Sequence, residues 1–168
     1  MDDQKDTVLK EYVYSDCRIR PADSELDAPA LYEDMRVMDM IECIGLGNHP
    51  RHAILESYAQ SQEAWTITTA EDMRIVGSFG VVQSLIPKCG VIWMLGTHRV
   101  HRIKKTFLKH SREWIDRLYG DYTVLTNLVM TDNELSMRWL TWLGAEWNDC
   151  KYDGFKQFNL YKQQSESK

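Results

Sequence analysis

The sequence lacks several patterns that would place it in a familiar class of protein. No window approaches the roughly 18 consecutive apolar residues that a membrane-spanning helix requires. The four cysteines are scattered and form no C-x-x-C pair, which argues against a metal centre and a disulfide framework. The segment Met1–Lys10 is charged and has no apolar run of the kind found in signal peptides. We therefore expect a cytoplasmic protein with reduced thiols, no metal and no membrane span.

Repeats, low-complexity tracts and linkers rich in proline or glycine are also missing. The 168 residues therefore fit one domain, residues 1–168, with an ordered core over about residues 12–162. The net charge of −5 argues against nonspecific nucleic-acid binding. Six tryptophans and a hydrophobic fraction of 43% indicate a substantial buried core.

Hydrophobic periodicity predicts an α+β fold, with a mixed central sheet of about six to seven strands and about four helices. Strands are expected at residues 12–19, 65–69, 73–84, 90–95, 122–130, 147–149 and 155–161. Helices are expected at residues 27–44, from residue 50 onward, at residues 102–118 and after residue 134. The stretch Val91–Met130 predicts a parallel strand–helix–strand crossover. On the last helix a core stripe is expected at Leu135, Trp139, Trp142 and Leu143.

This order of elements, with the opening Cys17-Arg18-Ile19-Arg20-Pro21-Ala22-Asp23, resembles the GNAT (N-acetyltransferase-like) fold. The resemblance implies a V-shaped cleft for acetyl-CoA between strand Val91–Leu95, helix Ile103–Leu118 and strand Val124–Val129. In that cleft the backbone N–H near Leu95 would stabilise an oxyanion. Further cofactor contacts are implied at Gly96, Thr97 and Asn133.

The family's cofactor loop has the pattern Q/R-x-x-G-x-G/A, and its glycines bring backbone N–H groups close to the pyrophosphate. Here the pattern falls on Arg99–Lys104. Arg99 matches the first position, but Arg102 and Lys104 occupy both glycine positions, where a Cβ and a long side chain crowd the approach. An active enzyme would instead hold the CoA phosphates by charge, through Arg99, Arg102, Lys104 and Lys105.

A second family feature is a helix that begins Asn-x-x-Ala, carries a tyrosine seven residues after the asparagine and closes on glycine. Asn133, Ser136 and Gly144 match or nearly match this pattern. Leu140 replaces the tyrosine that would protonate the departing thiolate, and leucine cannot donate a proton. No catalytic residue is therefore assigned. Three glutamates remain as undistinguished candidates for a general base: Glu42, Glu71 and Glu146.

Several runs resemble a subset of this family, the phage GNAT-like proteins of the internal virion protein A type. These runs are IWMLGT at 92–97, RIKKTFLKHSREWIDRL at 102–118, LTNLVMTDN at 125–133 and RWLTWLGAEW at 138–147. The resemblance implies a bacteriophage protein that acts in virion core assembly or in host takeover. It also implies a virion or host protein as partner, and a location in the cytoplasm of the infected host or in the virion.

The basic run His98–Lys105 is the best candidate for an anion-binding surface, although a solvated helix face would have the same composition. Its anion could be CoA, nucleic acid or an acidic partner protein. Asn127 and Asn133 lie where GNAT proteins contact substrate or cofactor, but helix capping is favoured for Asn133. Two hypotheses follow: a binding protein with degenerate catalytic motifs, and an active acetyl-CoA-dependent N-acyltransferase.

Overall fold

A computed structural model describes residues 10–164, and one mixed β-sheet runs through them. Its strands are β1 (Tyr12–Val13), β2 (Cys17–Pro21), β3 (Ser61–Thr69), β4 (Ile75–Gln83), β5 (Cys89–Gly96), β6 (Val124–Met130), β7 (Glu146–Asp149) and β8 (Phe155–Tyr161). Its helices are α1 (Ser24–Glu33), α2 (Val37–Gly45), α3 (Pro50–Gln60), α4 (Lys104–Tyr119) and α5 (Glu134–Trp142), and a 3₁₀ helix at His98–Ile103 precedes α4. Residues 1–9 and 165–168 lie outside the described residues.

The eight strands follow the order β1-β2-β3-β4-β5-β6-β8-β7, and within the described chain only β5 and β6 run parallel. Helix α4 connects these two strands, which confirms the predicted crossover. The α+β fold and the mixed sheet are also confirmed. No helix within residues 10–164 has the length and apolar character needed to cross a membrane.

Two predicted elements are each divided in the structure, which raises the counts within residues 10–164 to eight strands and five α-helices. The expected strand at 12–19 is a hairpin, because the chain turns where Tyr14 N donates to Cys17 O. The expected helix at 27–44 is broken at residues 34–36, where Met35 forms an antiparallel bridge with Thr97. The helical period continues across the break, so the sequence pattern alone could not reveal it.

The helices cover both faces of the sheet and enclose two hydrophobic clusters. On one face, Trp114, Ile115 and Leu118 of α4 and Leu140 of α5 share a cluster with Ile92 of β5 and its neighbours. On the other face, α1, α2 and α3 pack around Ile75 of β4. The sheet therefore separates two cores, and a ligand could pass between them only where two strands part.

Trp114 anchors α4 to the sheet. Its ring meets Tyr12, Trp65 and Phe79 edge to face, with centroid separations of 5.0, 5.1 and 5.3 Å. Its indole N–H donates to the hydroxyl of Tyr14 at 3.1 Å. These contacts fix the position of the basic N-terminal half of α4 relative to the β1–β2 hairpin.

The predicted core stripe on α5 is partly wrong. Leu135 and Trp142 are 50% and 47% exposed, whereas Leu140 is 4% exposed and lies in the core. Trp139 and Leu143 are partly buried against the same cluster. Trp142 lies about 200° around the helix from the buried Leu140 and therefore faces outward, where the guanidinium of Arg112 stacks on its ring, 4.1 Å from the centroid.

A buried carboxylate, Asp27, joins α1 to the sheet. It accepts two hydrogen bonds from Arg20, at 2.9 and 2.7 Å, and further bonds from Asp23 N and Thr66 Oγ1 at 2.8 and 2.7 Å. Burial opposes its ionisation, but the bonds from Arg20, Thr66 and Asp23 outweigh burial and lower the pKa of Asp27. The segment Cys17–Asp23 thus has a structural role, because its Arg20 side chain and Asp23 N–H bind the Asp27 carboxylate of α1.

We expect Asp27→Asn to lower the free energy of unfolding by about 3 kcal/mol, because it breaks a buried, bidentate ion pair. Urea unfolding at pH 7 measures the loss. Glu25→Gln removes an exposed carboxylate from the same helix and should change the free energy by less than about 0.5 kcal/mol. Equal effects of the two substitutions would contradict the role of Asp27.

Candidate functional site

Strands β5 and β6 part shortly after they begin. Their parallel pairing covers only Cys89–Val91 against Val124–Thr126, whereas β4 stays paired with β5 to Gly96 and β8 stays paired with β6 to Met130. The two strands therefore diverge while each keeps its outer neighbour. The result is the V-shaped gap that the sequence predicts at this place.

Asn127 lies at the point where the strands separate. Its Nδ2 donates to Ile92 O at 2.6 Å, and its Oδ1 accepts from Leu128 N at 2.7 Å. An opened sheet leaves backbone groups without ladder partners, and unpaired groups are costly when buried. The Asn127 amide supplies two of the missing bonds and so stabilises the divergence.

The hydrogen-bond partners of β5 show which backbone groups face the gap. Ile92 O accepts a hydrogen bond from Asn127 across the gap, and Gly96 N donates to Asp39 at the far end of the gap. Because residues two apart on a strand direct their backbone groups to the same side, the N–H of Met94 also faces the gap. The amide near Leu95 that could meet an oxyanion is therefore that of Met94, while Leu95 pairs with Ser78 of β4.

The corner between α1 and α2 lies against the free end of β5. Arg36 N donates to Gly96 O, and Gly96 N donates to Asp39 Oδ2, both at 2.8 Å. The Met35–Thr97 bridge continues this pairing. A Cβ at Gly96 would lie 2.8 Å from Val100 Cγ2 and 3.2 Å from Arg36 Cδ, so only glycine fits between the corner and the loop.

The next four backbone amides also have acceptors within the protein. Thr97 N donates to Val76 O at 2.8 Å, and His98 N donates to Asp34 O at 3.4 Å. Arg99 N donates to Thr97 Oγ1 at 3.2 Å, and Val100 N donates to Thr97 O at 3.2 Å. Five consecutive amides, from residue 96 to residue 100, are thus occupied. Arg99 and Val100 are the first two residues of the segment Arg99–Lys104, where the GNAT pattern places the loop that offers its N–H groups to a pyrophosphate.

Arg99 has an internal role, which corrects its predicted contact with the CoA phosphates. Its side chain is buried, with Nη1 2.8 Å from Asp34 Oδ2 and 3.3 Å from Ile75 O. The hydrogen bond from Arg99 lowers the pKa of Asp34. The Arg99 guanidinium therefore links the loop to the α1–α2 corner, and the guanidinium does not point into the cleft.

Asn133 caps helix α5, which is the role that the sequence favoured over a cofactor contact. It is buried, its Oδ1 accepts from Ser136 N at 3.3 Å, and its Nδ2 donates to Glu42 Oε1 at 3.0 Å. The same Glu42 oxygen accepts from Met130 N at 3.0 Å. Glu42 therefore joins α2 to the end of β6.

The other predicted cofactor residues fall into two groups. Leu95 and Gly96 end β5 and Thr97 follows it, and both Gly96 and Thr97 are buried. Arg102, Lys104 and Lys105 are exposed on the 3₁₀ helix and the first turn of α4. None of the latter three cations forms a salt bridge with a residue from 10 to 164. No group of three metal-binding side chains occurs in that range.

A cavity of about 250 Å³ occupies the gap and extends beneath α4. Ile92 and Met94 line it on the α4 and α5 side, and Trp93 and Leu95 line it on the side of α2 and α3. Leu140 is part of its wall, at the position where the GNAT pattern has a tyrosine. The cavity thus passes between the strands and is mainly apolar.

Sequence patterns missed two residues of this site. Asp39 has the spacing of a surface acid on an amphipathic helix, yet it is 4% exposed and bonded to Gly96 N. Met94 reads as an ordinary residue of a buried strand. The positions of both residues depend on the separation of β5 from β6 after Val91, and no local sequence pattern predicts this separation.

Comparison with solved structures identifies the architecture. The GNAT domain of S. lividans PAT superposes with a TM-score of 0.62 at 12% identity, over 90% of this chain and 97% of that one. A GNAT-family acetyltransferase from Bacillus anthracis gives 0.61 at 11% identity, over 90% and 98%. The ribosomal-protein-S5-alanine acetyltransferase from Vibrio fischeri gives 0.60 at 11%, over 90% and 96%. The chain therefore has the GNAT fold. No protein-family model and no curated protein sequence matches it.

We expect Arg99→Ala to lower the free energy of unfolding by about 2 kcal/mol, because Asp34 and Ile75 O lose a charged donor. Arg102→Ala removes an exposed cation from the same loop and should cost less than about 0.5 kcal/mol. Thermal or urea unfolding of the two variants measures the difference. An Arg99→Ala protein as stable as the wild type would contradict the internal role.

Asp39 should make stability depend on pH. Burial raises the pKa of Asp39 from 3.8 to about 6, against the opposing effects of Arg36 and the Gly96 amide. Between these values the folded protein holds a proton that the unfolded chain has lost, so its contribution to stability falls as pH rises. Asp39→Asn should therefore gain up to about 3 kcal/mol over the wild type between about pH 4 and pH 7.

Urea unfolding at several pH values measures this gain. Asp132→Asn, which removes an exposed carboxylate, serves as the control. A difference between Asp39→Asn and the wild type that stays constant with pH would contradict the raised pKa.

Proposed function

We propose that this protein is a GNAT-fold binding protein that does not use acetyl-CoA in the manner typical of the fold. The observation that carries the proposal is the occupation of five consecutive amides, at residues 96–100, by acceptors within the protein. A pyrophosphate bound by the first amides of the Arg99–Lys104 loop would have to displace Thr97, whose hydroxyl and carbonyl accept from Arg99 N and Val100 N. Each displaced acceptor would lose a buried hydrogen bond.

The wall of the cleft supports the same proposal. Leu140 lies in the core at the position of the usual general acid and has no proton to donate. Cys43 also lines the cavity, and burial raises the pKa of its thiol to about 11, so it stays protonated at neutral pH. Neither residue can supply acid–base chemistry for acyl transfer at neutral pH.

The proposed partner is a virion or host protein, with the chain acting in virion core assembly or host takeover. The sequence runs at residues 92–147 that resemble phage GNAT-like proteins support this role. The exposed cations Arg102, Lys104 and Lys105, which form no salt bridge with residues 10–164, would suit an acidic surface on such a partner. This arrangement would make binding to the partner sensitive to salt.

An active N-acyltransferase is the second candidate, and one feature favours it. The Met94 amide faces the open gap, where an oxyanion could accept its hydrogen bond, and the cavity passes through the gap to the face of α2 and α3. In that case Arg102, Lys104 and Lys105 would hold the CoA phosphates by charge from the surface. The two candidates differ in whether acetyl-CoA binds at all.

Isothermal titration with acetyl-CoA and with CoA separates the two candidates. We expect no saturable binding at millimolar cofactor. Micromolar binding that Arg102→Ala/Lys104→Ala abolishes would overturn the proposal and favour the acyltransferase. Arg138→Ala/Lys151→Ala removes two exposed cations elsewhere and controls for the change in net charge.

A further inference from the structure

The apolar cavity adjoins a second, polar space. Tyr14, Thr106 and His110 line both, and we call these three residues the neck. Beyond the neck, a cleft of about 280 Å³ lies between the β1–β2 hairpin and α4, and we call it the vestibule. Its remaining lining residues are Ser15, Lys105 and Lys109. A mainly apolar cavity and a basic vestibule thus adjoin at the neck.

Side chains of four adjacent strands line the apolar cavity. Its floor on the α4 side is a row of side chains from adjacent strands: Ile19 of β2, Ile67 of β3, Phe79 of β4 and Ile92 of β5. With neighbouring strands about 4.8 Å apart, the row and the gap to β6 span about 19 Å. A cavity of roughly 150 Å³ lined by aliphatic and aromatic side chains already binds benzene. At about 250 Å³, this one has room for a longer apolar ligand.

The walls of the cavity offer little to a charged ligand. Burial raises the pKa of the lining thiol Cys17 to about 12, so this group is neutral at neutral pH. Among the described residues that line the cavity, Glu42 is the only carboxylate, and its Oε1 already accepts from Met130 N and Asn133 Nδ2. A polar head group would therefore remain outside the cavity.

The vestibule, in contrast, carries unpaired positive charge. Lys105 and Lys109 are exposed and form no salt bridge with any residue of the described range 10–164. His110 pairs with Glu113, whose carboxylate lies 3.3 Å away and is largely exposed. Two ammonium groups are thus left to attract an anion at the neck.

We propose that the cavity and the vestibule together bind a fatty acid, a single alkyl chain that ends in a carboxylate. The chain lies beneath α4 along the row of strands, and the carboxylate meets Lys105 and Lys109. This inference extends the proposed binding function by naming a ligand class, and it does not require an acyl-CoA. A flat aromatic ligand would leave most of the row unfilled.

Titration with monomeric dodecanoate, followed by tryptophan fluorescence, tests the proposal, because Trp93, Trp114 and Trp139 line the cavity. We expect saturable binding that strengthens about fourfold with each added methylene from octanoate to dodecanoate. Methyl dodecanoate, which has no charge, should bind about fivefold more weakly. Lys105→Ala/Lys109→Ala should weaken dodecanoate binding by a similar factor and leave methyl dodecanoate unaffected.

Matched variants locate the ligand. Arg102→Ala/Lys104→Ala removes the same charge from neighbouring positions outside the vestibule and should leave dodecanoate binding unchanged. Thr106→Trp should block the neck and abolish binding, while Thr106→Val should preserve it. Circular dichroism and unfolding of each variant confirm that it is folded. If Thr106→Trp fails to fold, the lysine pair and the chain-length series still decide.

The outcomes separate this inference from the proposed function. Absence of saturable dodecanoate binding, or binding that neither Thr106→Trp nor the lysine pair affects, overturns the inference and leaves the binding function intact. Dodecanoyl-CoA that binds far more tightly than dodecanoate and depends on Arg102 and Lys104 overturns both and favours the acyltransferase. Dodecanoate binding without CoA binding supports both.

Discussion

The end of β5 imposes a constraint on the rest of the site. Beyond Val91 this strand has no neighbour on its β6 side, and the backbone groups there must still find partners. Asn127 donates a hydrogen bond to Ile92 O at the start of the gap. At the end of the gap, Gly96 O accepts from Arg36 N and Gly96 N donates to Asp39. Between them the Met94 amide faces the cavity. The path of α1 and α2, the position of the loop and the shape of the cleft all follow from this requirement.

Three arginine–aspartate pairs hold α1 and α2 in that position. Arg20–Asp27 fixes the start of α1, Arg99–Asp34 fixes its end to the loop, and Arg36–Asp39 lies at the start of α2. The pKa values of Asp27 and Asp34 are lowered, whereas that of Asp39 is raised. The first two pairs therefore stabilise the fold at neutral pH, while ionised Asp39 costs stability and serves mainly to occupy the Gly96 amide.

The sequence predicted what depends on periodicity and on neighbours along the chain. The crossover, the strand β8, the helix that begins at Pro50 and the cap at Asn133 all follow from such local signals. The sequence did not predict features that depend on a contact with a residue distant along the chain. The Met35–Thr97 bridge interrupts a continuous helical pattern, and Asp34 takes the Arg99 side chain that the GNAT pattern assigns to phosphate.

The acceptors that bind the amides of residues 96–100 also affect how readily mutations could turn this segment into a phosphate-binding loop. Three of the five are backbone carbonyls, at Val76, Asp34 and Thr97, and only Asp39 and the Thr97 hydroxyl belong to side chains. A point mutation can delete a side chain but cannot delete a carbonyl. Point mutations of Asp39 and Thr97 would therefore free only two of the five amides, Gly96 N and Arg99 N, and would leave the other three bonded to backbone carbonyls.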